Sequence, residues 1–147
     1  LDDSVNRILA IAAVHEVLTE QRDDDVDLGE LVERLRAMIV QGLGGGKRVE
    51  SRVEQVSLHG DRATALALVF SELLQNALEH GGDEVRVELA RKNGRVSLTV
   101  ADNGIWTGES ADGTGLSIVR ALVRDELRGT LTLASDGGLR AEILFVP

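Results

Sequence analysis

At 147 residues and 43% hydrophobic, the chain is long enough to bury one good core, and it reads as one domain with an appendage. A net charge of −9 argues against a broad nucleic-acid or anionic-membrane surface, which needs clustered Lys and Arg. With no Cys there is neither a disulfide nor a thiolate metal site, and three scattered His residues make no convincing zinc cluster.

The apolar stretches fall far below membrane-spanning length and Leu1 opens no signal sequence, so the expectation is a cytoplasmic module without membrane contact. A start at Leu1 also suggests a chain trimmed from a longer protein. Val5, Ile8, Leu9, Ala12, Ala13, Val17 and Leu18 recur at helical spacing and predict an amphipathic helix over residues 2–21. The run Asp23-Asp24-Asp25 reads as a solvated loop. Asp27 caps a second helix with Glu30 three residues on, and Leu28, Leu31, Leu35 and Ile39 form its apolar stripe until Gly42 and Gly44-Gly45-Gly46 stop it.

From Lys47 the pattern turns to alternation (Val49, Ser51, Val53), a strand, and a long helix follows from about Arg62 to His80. Strands over 84–91 and 95–102 flank Asn93-Gly94, a strong hairpin turn. A helix opens near Gly115, and residues 129–135 and 139–146 form a last strand pair around Asp136-Gly137-Gly138. The order is mixed α+β, with one sheet covered on one face by helices.

Three segments carry chemistry. In Ser71 to His80, the residues Glu72, Asn76 and His80 fall at four-residue spacing and form one polar stripe beside Leu66, Val69, Leu73 and Ala77, which places them along a pocket edge. The amide oxygen of Asn76 suits a hard cation such as Mg²⁺, and Glu72 one turn earlier can orient or deprotonate a nucleophile. His80 has two readings, a cation at the helix C-terminus or a phosphate ligand. Asp102 ends the alternating run Val96, Leu98, Val100, and Gly104 lets the chain turn. A carboxylate left there needs a donor, and the exocyclic amine of adenine is one. Gly113-Thr114-Gly115 stands before the periodic run Leu116, Val119, Leu122 and Val123, an anion site at a helix start. Singly, each segment is also readable as a solvated helix face, a strand-ending turn or a loop. Their order and spacing point to a nucleotide.

On these residues the chain resembles the catalytic ATP-binding domain of the sensor histidine kinases, within the superfamily that includes gyrase, heat-shock protein 90 and the MutL mismatch-repair ATPases. Residues 71–80 are similar to the family's N box, Asp102-Asn103-Gly104 to its first glycine box, and Gly113-Thr114-Gly115-Leu116 to its second, so the resemblance covers about residues 60–147. Upstream, Arg7 to Ile11, Val14 to Leu18 and Val26-Asp27-Leu28 resemble the second dimerisation helix of the subfamily whose acceptor helix carries a His-Arg-x-x-Asn-like motif, which is absent here.

The resemblance implies a two-layer α/β sandwich, the Bergerat ATP-binding fold, with an N-terminal helical segment. It implies residues 1–43 as the C-terminal part of a dimerisation and phosphotransfer region, and 47–147 as the catalytic domain with a short lid over 104–115. ATP and Mg²⁺ are the expected ligands, with Glu72 catalytic and Asn76 holding the metal. Asn76, His80, Asp102, Gly104, Gly113, Thr114, Gly115 and Leu116 would line the nucleotide. The γ-phosphate would pass to a histidine outside this chain and onward to a response regulator, with the N-terminal helix serving a homodimer. His15, next to Glu16, falls on the helix after the acceptor helix and is read as packing locally rather than as the acceptor.

Three positions depart from the pattern. Trp106 stands where another Gly is usual, Leu139 follows Gly137-Gly138 where Thr is usual, and Glu79 takes an often basic place, so a weakened nucleotide site is expected. Two other functions share the fold, a serine kinase that doubles as an anti-sigma factor and a degenerate nucleotide sensor or scaffold.

Overall fold

The computed structural model describes residues 3–19, 25–43, 45–104, 114–135 and 137–147. Helix α1 spans Asp3–Thr19, strand β1 Asp25–Asp27, helix α2 Leu28–Leu43, strand β2 Arg48–Val53 and strand β3 Ser57–His59. Helix α3 (Gly60–His80) leads into the hairpin β4 (Glu84–Lys92) and β5 (Arg95–Asp102). Helix α4 (Thr114–Leu122) runs into a π-helical turn over Val123–Leu127, and β6 (Thr130–Ser135) and β7 (Leu139–Phe145) close the chain.

Five strands form one sheet in the order β2-β4-β5-β7-β6, antiparallel except for the parallel β2–β4 pair. Period-two alternation decides its faces. Val85, Val87 and Leu89 of β4, Val96, Leu98 and Val100 of β5, and Ala141, Ile143 and Phe145 of β7 are all buried. On β4, Glu84, Arg86 and Glu88 point the other way and are exposed. The helices supply the second layer, and one continuous core joins them to the sheet, giving the two-layer α/β sandwich. Among the described residues no helix is long and apolar enough to cross a membrane.

Local chemistry explains the elements. The Asp27 Oδ1 accepts the N–H groups of Gly29 at 3.0 Å and Glu30 at 3.4 Å, so α2 starts where an N-cap carboxylate satisfies its orphan donors. Leu28, Leu31, Leu35 and Ile39 are 0–2% exposed, so the stripe read from the sequence is the buried one. Each contributes roughly 1.5–3 kcal/mol by burial. Asn93 (φ 53°) and Gly94 (φ 78°) are both left-handed, the geometry of a two-residue hairpin turn between Lys92 and Arg95. Arg62 fixes the far end of α3: one Nη2 donates to the carbonyls of Leu127 (2.9 Å) and Val146 (2.7 Å), and the guanidinium lies 5.5 Å from the Phe145 ring centroid.

Several expectations need correction. Asp25 belongs to β1 rather than to a solvated loop, pairing with His59 of β3 in a small antiparallel ladder that the sequence pattern did not show. On α1 the buried residues are Ala13, Val14 and Val17, whereas Ile8 is 65% exposed and Ala12 is also exposed, so the apolar face lies to one side of the predicted stripe. The long helix starts at Gly60, and the π turn after α4 was not anticipated.

Candidate functional site

The C-terminal end of α3 meets the C-terminal end of β5. Because Asp102 continues the inward alternation of Val96, Leu98 and Val100, its carboxylate is delivered to the helix side of the sheet. There the Oδ1 accepts backbone N–H groups from Gly104 at 2.9 Å and Leu139 at 3.4 Å. The Oδ2 accepts no hydrogen bond from the described residues. The carboxylate is thus clamped by one oxygen and offers the other, the arrangement needed to take a proton donor from a ligand. Leu139 lacks the hydroxyl usual at its position, yet its main chain still contributes to the clamp.

Glycines let three backbone segments close around Asp102. A Cβ on Gly81 would lie 2.7 Å from the Asp102 Cγ, one on Gly104 would lie 2.5 Å from the Gly82 nitrogen, and one on Gly138 would lie 2.9 Å from the Asn103 Cα. Gly104 is therefore required for close approach, and so are Gly81, Gly82 and Gly138, whose part the sequence reading missed. The signal was present as a tandem Gly-Gly directly after the last helical turn. Lys47 was also missed: its Nζ donates to the Gly81 carbonyl at 3.1 Å and closes the end of α3.

The polar residues of α3 are not equivalent. Asn76 is half-buried in the penultimate turn, consistent with an amide at a pocket edge. Glu72 is only 6% exposed, so it is enclosed rather than lying on an open rim as expected. The apolar residues Phe70, Leu74 and Leu78 share the opposite side of the helix from Glu72, and α3 also packs against α1, α2 and α4. His80 is exposed in the last turn with its Nε2 3.6 Å from the Glu79 Oε2, and Glu79 also accepts from the Gln75 amide at 3.3 Å.

Thr114 and Gly115 open α4, and Leu116 is 7% exposed in the core. Gly113 and Trp106 lie outside the described residues. Since α4 packs on α3, the first residues of α4 come to the same side of the sheet as Asp102 and Asn76. Among the described residues no group of three or more His, Asp or Glu side chains could hold a metal. The half-buried Asn76 offers a neutral amide oxygen, a donor of the kind suited to a cation that takes few protein ligands. A concavity of about 820 Å³ lies on the other face of the sheet, lined by Glu50, Arg52, Arg86, Glu88 and Arg140 among others. Its walls alternate in charge, and its lining reaches Asp102 and Asn103 at the end of β5.

Residues 61–147 match the family described as histidine kinase-, DNA gyrase B- and HSP90-like ATPase, and residues 1–43 match a histidine kinase family. The sensor histidine kinase PdtaS of Mycobacterium tuberculosis is 35% identical over 144 residues, covering 89% of this chain and 29% of that protein. The chain thus spans under a third of the curated relatives it matches. Among solved structures, the histidine kinase domain of the blue-light activated histidine kinase EL346 from Erythrobacter litoralis superposes with a TM-score of 0.82 at 23% identity, covering 99% of this chain and 75% of that one. A structure of the same Erythrobacter kinase gives 0.80 at 26% identity, covering 96% of this chain and 52% of that one. With its glycine-buttressed carboxylate, its N box and a family match over more than half its length, the chain belongs to the histidine kinase-, DNA gyrase B- and HSP90-like ATPases.

Proposed function

We propose that the chain is the ATP-binding catalytic domain of a two-component sensor histidine kinase, carrying part of the dimerisation region. The observation that carries this is Asp102, tied through Oδ1 by two main-chain N–H groups and with an Oδ2 that accepts no hydrogen bond among the described residues, on the helix side of the sheet at the end of α3. The Oδ2 would accept from the adenine amine. Thr114, Gly115 and Leu116 would present the start of α4 to the phosphates together with Gly113. Asn76 would hold Mg²⁺, which when bound neutralises phosphate charge. Positioning and charge neutralisation then supply most of the catalysis.

In the transfer step an imidazole nitrogen of a histidine outside this chain attacks the γ-phosphorus, ADP departs, and the proton on the acceptor ring goes to Glu72 directly or through water. Because Glu72 is enclosed here, this role requires the surfaces packed over it to separate. A cytoplasmic location, a response regulator as the onward acceptor and a homodimer through α1 belong to the same proposal. So does the domain division. The division is the one expected from the sequence, 1–43 as the dimerisation and phosphotransfer part and 47–147 as the catalytic part; the family matches over 1–43 and 61–147 support it, while the β1–β3 ladder and a shared core tie the two parts together. The match of residues 1–43 to a histidine kinase family favours this reading over an anti-sigma-factor kinase.

Asn76→Ala tests it. The variant should keep the circular dichroism spectrum of the parent and lose Mg²⁺-dependent ATP affinity by at least about tenfold, the scale of a lost contact to a charged ligand. Equal Mg-ATP affinity in calorimetry would remove Asn76 from the metal site.

A further inference from the structure

We propose that Asn103 is a positioning residue that holds the Asp102 carboxylate for adenine and thereby sets the preference for adenine over guanine nucleotides. The inference rests on the nucleotide reading of Asp102 given above. Asn103 stands one residue beyond it, on the opposite side of the strand, and cannot touch the base from there. Its contacts instead gather the segments that frame Asp102. The side-chain Oδ1 accepts the Glu84 N–H at 3.1 Å, the Nδ2 donates to the Asp83 Oδ1 at 2.9 Å, and the main-chain N–H donates to the Glu84 carbonyl at 3.3 Å.

The amide therefore continues the β4–β5 ladder one step past its last paired residues, Val85 and Asp102, adding a side-chain bond from the Glu84 N–H beside the main-chain bond to the Glu84 carbonyl. It also seats the turn that follows α3. Gly82 rests against the Asn103 amide so closely that a Cβ there would collide with the Oδ1 and lie 3.0 Å from the Cγ. The Asp83 carboxyl is held below its ordinary range, first by the bond from Asn103, so the acceptor of this clasp stays ionised at neutral pH. The Asp83 Oδ1 and the Glu84 carbonyl that hold Asn103, with Gly82 and Gly138 packed on it, thus fix the peptide from which the Asp102 side chain departs.

Selectivity follows from this placement. Adenine presents an amine donor at the position where guanine presents a carbonyl oxygen. An Oδ2 held in one place rewards the donor and repels the acceptor; a carboxylate free to rotate can turn away and does neither well. Discrimination by an oriented polar group exceeds what apolar fit provides.

The experiment measures ATP and GTP dissociation constants, with Mg²⁺, for the parent chain, for Asn103→Asp, and for Asn103→Asp combined with Asp83→Asn, and records the melting temperature of each. Asn103→Asp sets two carboxylates against each other and removes the donor, while the double variant restores a donor–acceptor pair in the reverse sense. The expected result is ATP affinity about tenfold weaker in the single variant, by loss of a charge-assisted bond, with the ATP-to-GTP preference narrowed and both recovered in the double variant. Extra negative charge weakens both nucleotides alike, so the ratio isolates positioning. A lower melting temperature with an unchanged ratio in the folded protein would make Asn103 merely structural and overturn the proposal, as would a ratio not recovered in the double variant. If the parent binds neither nucleotide, the nucleotide reading itself falls and the proposal with it.

Discussion

Arg62→Met keeps the aliphatic stem of the residue and removes its guanidinium, which ties the start of α3 to the two segments at the far end of the fold. Two charge-assisted hydrogen bonds to the carbonyls of Leu127 and Val146 are lost, at 2.9 and 2.7 Å, together with the cation–π contact to Phe145 at 5.5 Å. A buried bond to a charged group is worth about 1.5–3 kcal/mol, but Arg62 is only half-buried and the Val146 bond is open to water, so about 1 kcal/mol each is the reasonable figure. The ring contact adds about 0.5–1 kcal/mol. The expected loss is therefore about 2–3 kcal/mol in urea denaturation, with the slope unchanged. A double-mutant cycle with Phe145→Leu separates the ring contribution, whose coupling energy should match that of the cation–π contact. A loss below about 0.5 kcal/mol, the size of an ordinary surface substitution, would refute the idea that Arg62 clamps the C-terminal strand and the π turn.

Gly82→Ala forces a Cβ into the Asn103 amide, with the Cγ at 3.0 Å and the carbonyl carbon at 3.1 Å; it should destabilise the chain by about 1–3 kcal/mol in the same assay and weaken ATP binding in calorimetry. Glu33 gives a pH dependence. Burial pushes its carboxyl up, but hydrogen bonds from Ser51 and Arg36 outweigh that and hold it below its ordinary value of 4.5. With the folded value below the unfolded one, the contribution is full above the unfolded value and fades as pH falls through the folded value. Ser51→Ala should therefore cost stability at pH 7, and the gap to the parent should shrink in denaturation curves taken at successively lower pH from about 5 downward.

What was legible in the sequence was whatever a local period or a turn chemistry encodes. The α2 stripe, the Asn93-Gly94 hairpin and the inward alternation ending at Asp102 all follow from spacing alone, and the structure has them. The β1–β3 ladder was not legible, since three-residue strands such as Asp25–Asp27 carry too little alternation to stand out from a loop. The parallel β2–β4 pairing depends on α3 crossing between the strands, which no local pattern states. At the site, the stripe Glu72, Asn76, His80 was right as a helical spacing, yet burial along it runs from enclosed to exposed because neighbouring helices cover one end and not the other. Lys47 and Asn103 act through main-chain groups distant in sequence, contacts that residue identity alone does not reveal.

The sheet ends on one side at β2, and an unpaired strand is ordinarily a template on which another chain can add itself. Here Arg48, Glu50 and Arg52 follow one another along a single face of that edge, with Arg48 already engaged to Glu84 at 3.2 Å. A newcomer would have to match a plus-minus-plus sequence in register or strand charges against like charges. That edge is a safeguard: association can proceed through side chains and helices without the chain being captured by main-chain pairing.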